Sequence, residues 1–286
     1  CMRVFIKNQI SNCKYLIFIF FEKYLKIHIT KVHYYSPIPE ISKIDKKNFE
    51  THNNILIDLN IDKHTLLFEK FKKYICEYTP MVNPGLSTID SINLFCMIRH
   101  DKPQKIVEIG SGYSTKIILL AINKNEKDGF PCKLIAIEPY PKKFLRDINS
   151  SNFSLIEDKI QNVDHKLISD TDILFIDSTH VSKFQSDVNT EIFQIIPTLK
   201  IGTLIHWHDI MIPGDYPESW VKHGNKFWNE TYLVHAFMLY NESFEVIWGS
   251  KYMQMFHPHS IKKFYKDVNL NDANEQLSSF WIKRVK

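Results

Sequence analysis

Apolar and polar residues alternate in a regular way between residues 105 and 207. Short apolar runs predict buried strands, and the longer segments between them, with apolar residues at helical spacing, predict helices. The predicted strands are 105–109, 133–137, 153–156, 172–176 and 202–207, and the predicted helices are 114–123, 141–149, about 159–168 and about 182–196. Because strands that alternate with helices form a parallel sheet covered on both faces, the pattern predicts an α/β fold.

The flanking segments extend this prediction. Apolar spacing predicts a helix over 63–78, and Ser87 or Thr88 is expected to cap a second helix that leads into the first strand. After Asp209 the alternation stops, and a loop is predicted after the fifth strand. Residues 228–240 are predicted as an amphipathic helix, and two further strands, 244–248 and 278–283, follow it. We divide the chain into an N-terminal extension, residues 1–80, and a main domain, residues 81–286.

Charge separates the two ends of the chain. The formal net charge is +4, whereas residues 1–31 alone carry six basic residues and one acidic residue, a net +5, so the remainder is about neutral. A neutral body argues against nucleic acid as a partner, since such proteins carry a basic face. Residues 1–32 contain the apolar run 16–21 between lysines, which could contact an anionic membrane surface or simply pack on the body.

The five cysteines are scattered, with no CxxC spacing. Reduced thiols are therefore expected, which favours a cytoplasmic location, with peripheral contact at the inner face of the membrane as the alternative. The apolar run is far shorter than the roughly 20 residues needed to span a bilayer. The sequence leaves the oligomeric state open.

A glycine-containing turn follows the first predicted strand. Gly110 and Gly112 allow the backbone to turn sharply and to approach a ligand, and the N–H groups that begin the next helix favour a polar or anionic group. A dinucleotide site would need a third glycine where Thr115 stands, so a diphosphate fits poorly. The glycines could also form an ordinary strand-to-helix turn.

Glu108-x-Gly110-x-Gly112, with a second acidic residue, Glu138, at the end of the next strand, resembles the class I S-adenosylmethionine (SAM) methyltransferases. The resemblance implies a Rossmann-like, doubly wound, mostly parallel seven-stranded sheet with an antiparallel end pair. It implies SAM as cofactor, with the first acid and the glycines at its amino-acid end and Glu138 on the ribose hydroxyls. Asp158 and Gln161 stand where related enzymes contact adenine, although they could equally cap a helix. The residues assigned to the cofactor are Glu108, Gly110, Ser111, Gly112, Tyr113, Glu138, Pro139 and Asp158.

Polar side chains also end the fourth and fifth predicted strands. Asp177 and His180 follow the fourth, and His208 and Asp209 follow the fifth. The carboxyl ends of parallel strands meet at one edge of the sheet, and a carboxylate beside a ligand pair is a workable cation site. The histidines could instead bind loop carbonyls, with no metal present.

These strand ends are similar to those of the metal-dependent catechol and macrolide-sugar O-methyltransferases. The resemblance implies Asp177, His208 and Asp209 as ligands of a divalent metal (Mg, Mn, Fe or Zn), with Asp177 and His180 as catalytic residues and His180 as the general base. His208 departs from the family, which has a carboxylate or amide there. An imidazole suits Mn, Fe, Co or Zn better than Mg.

The function expected from this resemblance is SAM-dependent O-methylation of a hydroxyl in a sugar, glycan or glycosylated metabolite. Aromatic residues after the fifth strand, among them Trp220 and Trp228, could stack on sugar rings or simply pack a lid. The alternatives are a small-molecule or phenolic methyltransferase, an NAD-dependent oxidoreductase and a non-catalytic scaffold that keeps the fold.

Overall fold

The computed structural model describes residues 15–45, 56–81, 85–266 and 276–286, which fall into two compact units divided between residues 46 and 47. In the first unit, residues 15–20 are α-helical, Phe21–Leu25 is a π-helical turn and Ile41–Lys43 is a 3-10 turn. No side chain among residues 15–45 is buried. Among the described residues, the helices are all too short or too polar to cross a bilayer.

The second unit is built on a seven-stranded sheet. Its strands are β1 Lys105–Ile109, β2 Lys133–Ile137, β3 Phe153–Ile156, β4 Ile173–Ile176, β5 Leu204–Trp207, β6 Phe244–Gly249 and β7 Phe280–Arg284. The order across the sheet is β3-β2-β1-β4-β5-β7-β6. Strands β1 to β5 pair in parallel, and β7 is antiparallel to both β5 and β6. The predicted doubly wound, mostly parallel sheet with an antiparallel end pair is confirmed.

The helices of this unit connect the strands or lie at the chain ends. They are α1 Ile61–Ile75, α2 Thr88–Asp101, α3 Tyr113–Lys127, α4 Lys143–Arg146, α5 Lys166–Ser169, α6 Asp187–Thr190, α7 Glu218–Lys222, α8 Glu230–Met238, α9 Ser250–Phe256 and α10 Pro258–Phe264. Ser87 caps α2 as predicted, because its hydroxyl accepts a hydrogen bond from the Asp90 N–H at 3.0 Å.

Alternation along the strands fills two cores, one on each face of the sheet. Neighbouring residues Ile106 and Val107 of β1 belong to different clusters of buried side chains, as a period of two requires. One face is covered by α1, α2 and α3. The other is covered by α6, by the π-helical and 3-10 turns that follow it directly, and by α8. The strand ends are thereby held rigidly at the edge where the site lies.

Several features differ from the sequence-based boundaries. Within the predicted helices 141–149 and about 159–168, only Lys143–Arg146 and Lys166–Ser169 are α-helical, with a 3-10 turn at Ile160–Asn162. Phe68 of α1 packs on Trp248 of β6 with ring centroids 5.3 Å apart, so α1 belongs to the core of the second unit although it lies within residues 1–80. The predicted helix 182–196 begins only at Asp187 and continues as a π-helical turn, Glu191–Ile195, and a 3-10 turn, Ile196–Thr198. Pro197 lacks an N–H group, which ends regular α-helical hydrogen bonding there.

Candidate active site

The carboxyl ends of the central strands lie side by side. Backbone hydrogen bonds between neighbouring strands continue just beyond the ends of β1 and β4. Gly110 N donates to Ile137 O at 3.0 Å, and Asp177 N donates to Ile109 O at 2.9 Å. His208 N donates to Ile176 O at 2.9 Å. The strand order reverses between β1 and β4, which is the place where open α/β sheets bind ligands.

A cleft of about 330 Å³ opens at this point of reversal, within the range of small-molecule sites. Gly110, Asp177, Glu138 and Pro139 are among its lining residues. Its further lining includes Ile109, Ile137, Tyr140, Lys159, Ile160, Gln161, Ser178, Thr179, Lys183, Gln185, Ser186 and Asp187. Three residues assigned to the cofactor from sequence, Gly110, Glu138 and Pro139, therefore border one cavity.

Gly110 is required by the packing of the two strand ends. Its φ is +82°, and a Cβ at this position would lie 1.8 Å from the carbonyl oxygen of Asp177. Gly112 is different, because a Cβ there would meet no atom within 4 Å. The first glycine is thus fixed by the fold, whereas the second leaves open space beside the start of α3.

Glu108 lies behind the turn. It is fully buried, and its two carboxylate oxygens accept hydrogen bonds from the hydroxyls of Ser114 and Thr115, each at 2.6 Å. Burial raises the pKa of Glu108 to about 7, against the lowering effect of these hydroxyls and of Ser111. Glu108 therefore fixes the turn to the first residues of α3, and its cofactor contact stays a prediction.

Of the remaining residues assigned to the cofactor, Glu138 lines the cleft, whereas Ser111, Gly112, Tyr113 and Asp158 do not. Glu138 is half-buried and accepts a hydrogen bond from Tyr140 N at 2.8 Å. Asp158 is exposed and accepts hydrogen bonds from Lys159 N and Asn162 Nδ2, each at 2.7 Å, so it organises its own turn while Gln161 of that turn faces the cleft. Tyr113 stacks at a tilt on Phe144, 5.3 Å away, with Lys142 over its ring.

The strand-end histidines and carboxylates form a cluster next to this cleft. His180 Nε2 lies 3.3 Å from Asp177 Oδ1 and 3.7 Å from Asp209 Oδ2. His208 Nδ1 lies 3.4 Å from Asp177 Oδ1 and 3.3 Å from Asp209 Oδ1. His180 and Asp209 adopt left-handed backbone conformations, with φ of 60° and 57°. Such conformations in residues other than glycine concentrate at functional sites.

The charges in this cluster are mutually compensating. Burial opposes ionisation of Asp177, but the facing His208 and His180 hold its pKa far below the ordinary value. Burial likewise opposes protonation of His208, yet Asp209 and Asp177 raise its pKa to about 9. The pKa of His180 is raised well above its ordinary value by Asp177 and Glu230, again against burial. The two carboxylates therefore favour the protonated form of both imidazoles, and burial disfavours it.

The donor set fits a divalent metal. Asp177, His180 and Asp209 each offer one ligand atom, and these atoms lie within 4.8 Å of one another. This group contains His180, whereas the set predicted from sequence has His208 in its place; His208 Nδ1 lies 3.4 Å from Asp177 Oδ1 and 3.3 Å from Asp209 Oδ1. Two carboxylates with imidazole nitrogens suit Mn, Fe, Co or Zn.

Sequence reasoning missed three residues around this cluster. Glu230, at the start of α8, lies 2.8 Å from His180 Nδ1. Ser278 donates from Oγ to Asp209 Oδ1 at 3.0 Å, and its own N–H donates to Asp90 Oδ2 at 2.9 Å. These contacts join segments far apart in the chain, and the only local signal was an acidic residue in the first turn of a helix.

His206 is a core residue. Its ring stacks on Phe175 at 4.2 Å, its Nε2 lies 2.9 Å from Ser279 Oγ, and it is fully buried. Burial, together with the charge on His208, lowers the pKa of His206 well below its ordinary value. Burial therefore disfavours the charged form of His206, and its ring stacks beside that of His208, with centroids 6.4 Å apart.

Comparison by sequence finds a matching family and a similar protein. Residues 107–210 match the family described as a methyltransferase domain. An uncharacterized protein of Archaeoglobus fulgidus is 32% identical over 157 residues, which are 46% of this chain and 68% of that protein. The matched family region runs from β1 to just beyond β5 and contains both the cleft and the cluster.

Two solved structures show a more distant similarity. The SAH-bound methyltransferase PaMTH1 of Podospora anserina is 14% identical, with 77% of this chain and 88% of that chain covered and a TM-score of 0.46. The O-methyltransferase TomG of Streptomyces achromogenes, in complex with SAM, is 9% identical, with 84% and 93% covered and a TM-score of 0.43.

Proposed function

The chain belongs to the family of class I SAM-dependent methyltransferases, and from this premise we propose that it is an O-methyltransferase whose acceptor is a hydroxyl of a sugar, glycan or glycosylated metabolite. The observation that carries the proposal is the adjacency of two sites at one sheet edge. Asp177 borders the cleft and also belongs to the histidine–carboxylate cluster. A methyl donor in the cleft would thus lie beside the groups that handle the acceptor.

In the cleft, Glu138 is assigned to the ribose hydroxyls of SAM, and Pro139 and Gly110 line the same cleft. The half-buried carboxylate of Glu138 supports this assignment, since a carboxylate accepts from two neighbouring hydroxyls. Glu108, Ser111, Gly112 and Tyr113 would shape the turn at the amino-acid end of the cofactor, and Asp158 the turn near adenine.

His180 is assigned the role of general base for the acceptor hydroxyl. An alcohol is a weak nucleophile at neutral pH, and removal of its proton as the methyl group moves makes the oxygen reactive. Nε2 of His180 faces Asp177 Oδ1 at 3.3 Å and Asp209 Oδ2 at 3.7 Å. Asp177, His208 and Asp209 would hold the divalent cation, and its charge would offset the negative charges that face the imidazole. A metal there would supply Lewis acidity toward the acceptor oxygen.

Aromatic side chains beside the base support a sugar acceptor. The Trp228 ring lies 4.4 Å from the ring of His180, and Trp220 meets Trp228 edge to face at 5.5 Å. Lys226 Nζ lies 4.3 Å from both indoles, and among the described residues it has no carboxylate partner. Indole faces bind the C–H surfaces of sugar rings, and the ammonium group can hydrogen-bond to hydroxyls or acidic groups. A phenolic acceptor is the second candidate, because the same indoles could stack on it.

The experiment that tests this proposal measures cofactor binding and methyl transfer separately. Calorimetry with SAM and with NAD should show binding of SAM and no binding of NAD. Transfer of labelled methyl from SAM is then measured on panels of sugars, glycans and phenols. SAM binding with methylation of sugars supports the proposal, and preference for phenols favours the second candidate. Absence of SAM binding contradicts the proposal: binding of NAD would then indicate an oxidoreductase, and binding of neither a scaffold role.

The first unit is assigned a weak contact with an anionic membrane surface, and the protein a cytoplasmic location. Residues 15–20 are all apolar with exposed fractions from 37% to 63%, and Lys23, Lys26 and Lys31 follow them. Apolar side chains beside lysines bind such surfaces through burial and charge together. Co-sedimentation with anionic vesicles but not with zwitterionic vesicles is expected, and equal recovery from both would contradict the assignment.

A further inference from the structure

We propose that Glu230 is a positioning residue for His180, holding Nδ1 of the imidazole so that Nε2 faces the space between Asp177 and Asp209. The inference rests on the proposed function, because Glu230 acts only through the base. Glu230 Oε2 lies 2.8 Å from His180 Nδ1, and both side chains are buried, with exposed fractions of 0% and 5%. The pair lies in the interior, where such a hydrogen bond is strong.

The remaining bonds of Glu230 point to the same role. Among the described residues, Oε1 of Glu230 has no hydrogen-bond partner, so the imidazole is the single group that this carboxylate binds. A buried carboxylate with one hydrogen bond is costly to the fold. Its presence is explained by what it does to His180.

The backbone holds the two residues in register. Asn229 N and Glu230 N both donate to the carbonyl oxygen of His180, at 3.1 and 3.3 Å. The Asn229 side chain binds Ser182 at both ends, accepting from Ser182 N at 2.6 Å and donating to Ser182 O at 3.2 Å. The start of α8 is thereby fastened to the loop after β4, and the indole of Trp228 packs against the imidazole.

An ionised carboxylate at 2.8 Å from Nδ1 favours one tautomer of the neutral imidazole, because it can only accept a hydrogen bond. When Nδ1 gives its hydrogen to Glu230, the lone pair stays on Nε2, the nitrogen that faces Asp177 and Asp209. The other tautomer would place hydrogen on Nε2, which could then not accept a proton. A carboxylate that orients a histidine in this way contributes strongly to proton transfer in other enzymes.

Glu191 provides a matched control. It is a second fully buried acid near Glu230, and its Oε2 accepts a hydrogen bond from Ser178 Oγ at 3.2 Å. No hydrogen bond joins it to His180 in the part of the chain that the structure describes. Glu191→Gln therefore changes a buried acid beside the pair without touching the imidazole contact.

The test is a double-mutant cycle on the full chain, with kcat, KM and SAM affinity measured for each variant. Glu230→Gln should lower kcat by about 10²-fold or more, as expected for loss of general-base function, with SAM affinity unchanged. In the His180→Ala background the same substitution should change kcat by less than about threefold, because residues that act as one unit are not additive. Glu191→Gln should retain most of kcat. An equal loss from Glu230→Gln in both backgrounds, or no loss at all, overturns the inference.

A second readout does not depend on activity. Proton NMR should show a downfield imidazole N–H resonance in the wild type and in Glu191→Gln. This resonance should move upfield in Glu230→Gln, because a neutral amide replaces the carboxylate acceptor, and be missing in His180→Ala. Its absence from the wild type would overturn the inference. If the wild type methylates no acceptor but the resonance follows this pattern, the proposed function fails while the His180–Glu230 contact stands.

Discussion

Replacement of Gly110 by Ala gives a sharp test of how the two strand ends pack. The new Cβ would lie 1.8 Å from the carbonyl oxygen of Asp177, whereas Cβ contacts below 3.0 Å are essentially never observed, so the backbone at one strand end must move by about 1 Å. That movement strains the hydrogen bonds from Gly110 N to Ile137 O and from Asp177 N to Ile109 O. Alanine also disfavours the φ of +82° that Gly110 adopts.

The cost follows from these three effects. The left-handed conformation, the clash and the weakened hydrogen bonds together should lower the free energy of unfolding by about 3–6 kcal/mol. This is a large share of the stability of a typical domain, about 5–15 kcal/mol. Urea unfolding followed by tryptophan fluorescence measures the loss as a lower midpoint, and failure to accumulate folded protein is the extreme of the same result.

Gly112→Ala is the matched control. A Cβ at Gly112 meets no atom within 4 Å, and its φ of −166° lies outside the left-handed region that favours glycine. The free energy of unfolding of Gly112→Ala should stay within about 0.5 kcal/mol of that of the wild type. A stable Gly110→Ala, or equal destabilisation by both substitutions, would refute the packing argument.

Three further predictions concern the cofactor, the metal and pH. Glu138→Gln should weaken SAM binding by about tenfold or more, through loss of charge-assisted hydrogen bonds, and unchanged affinity in calorimetry would contradict the assignment. Asp177→Asn should abolish binding of Mn²⁺ and any sensitivity of the activity to EDTA, whereas a wild type that neither binds Mn²⁺ nor responds to EDTA would exclude the metal site. His64 donates from Nδ1 to Asn60 O and accepts from Gly249 N at Nε2, and burial lowers its pKa from 6.5 to about 4. Between these pH values the unfolded chain binds a proton that the folded chain does not. The free energy of unfolding should therefore fall by up to about 3 kcal/mol as the pH drops through this window. In His64→Gln the urea midpoint should change less with pH over the same range.

Much of the fold follows from local pattern, because buried parallel strands are continuous apolar runs. The strands 105–109, 133–137 and 153–156 coincide with their predicted bounds for this reason. The segment before α6 escaped prediction, since residue 182 is held in a loop by the side chain of Asn229, a contact made across 47 positions. Local apolar spacing cannot reveal such a constraint.

The candidate site likewise contains residues that the sequence predicts and residues that it does not. Strand ends are local, so Asp177, His180, His208 and Asp209 could be expected to meet once a parallel sheet was inferred. Glu230 is 50 residues from His180 and reads in the sequence as an ordinary acidic residue in a first helical turn. Its role depends on burial and on which nitrogen it faces, and both are properties of the folded chain.

The most direct measurement is a crystal structure of the protein soaked with SAH, the product of methyl transfer from SAM. The account predicts a nucleoside in the cleft at the β1–β4 reversal, with its ribose hydroxyls on Glu138 and its sulfur on the side of His180. A nucleoside bound elsewhere, or one whose sulfur points away from the cluster, would contradict it.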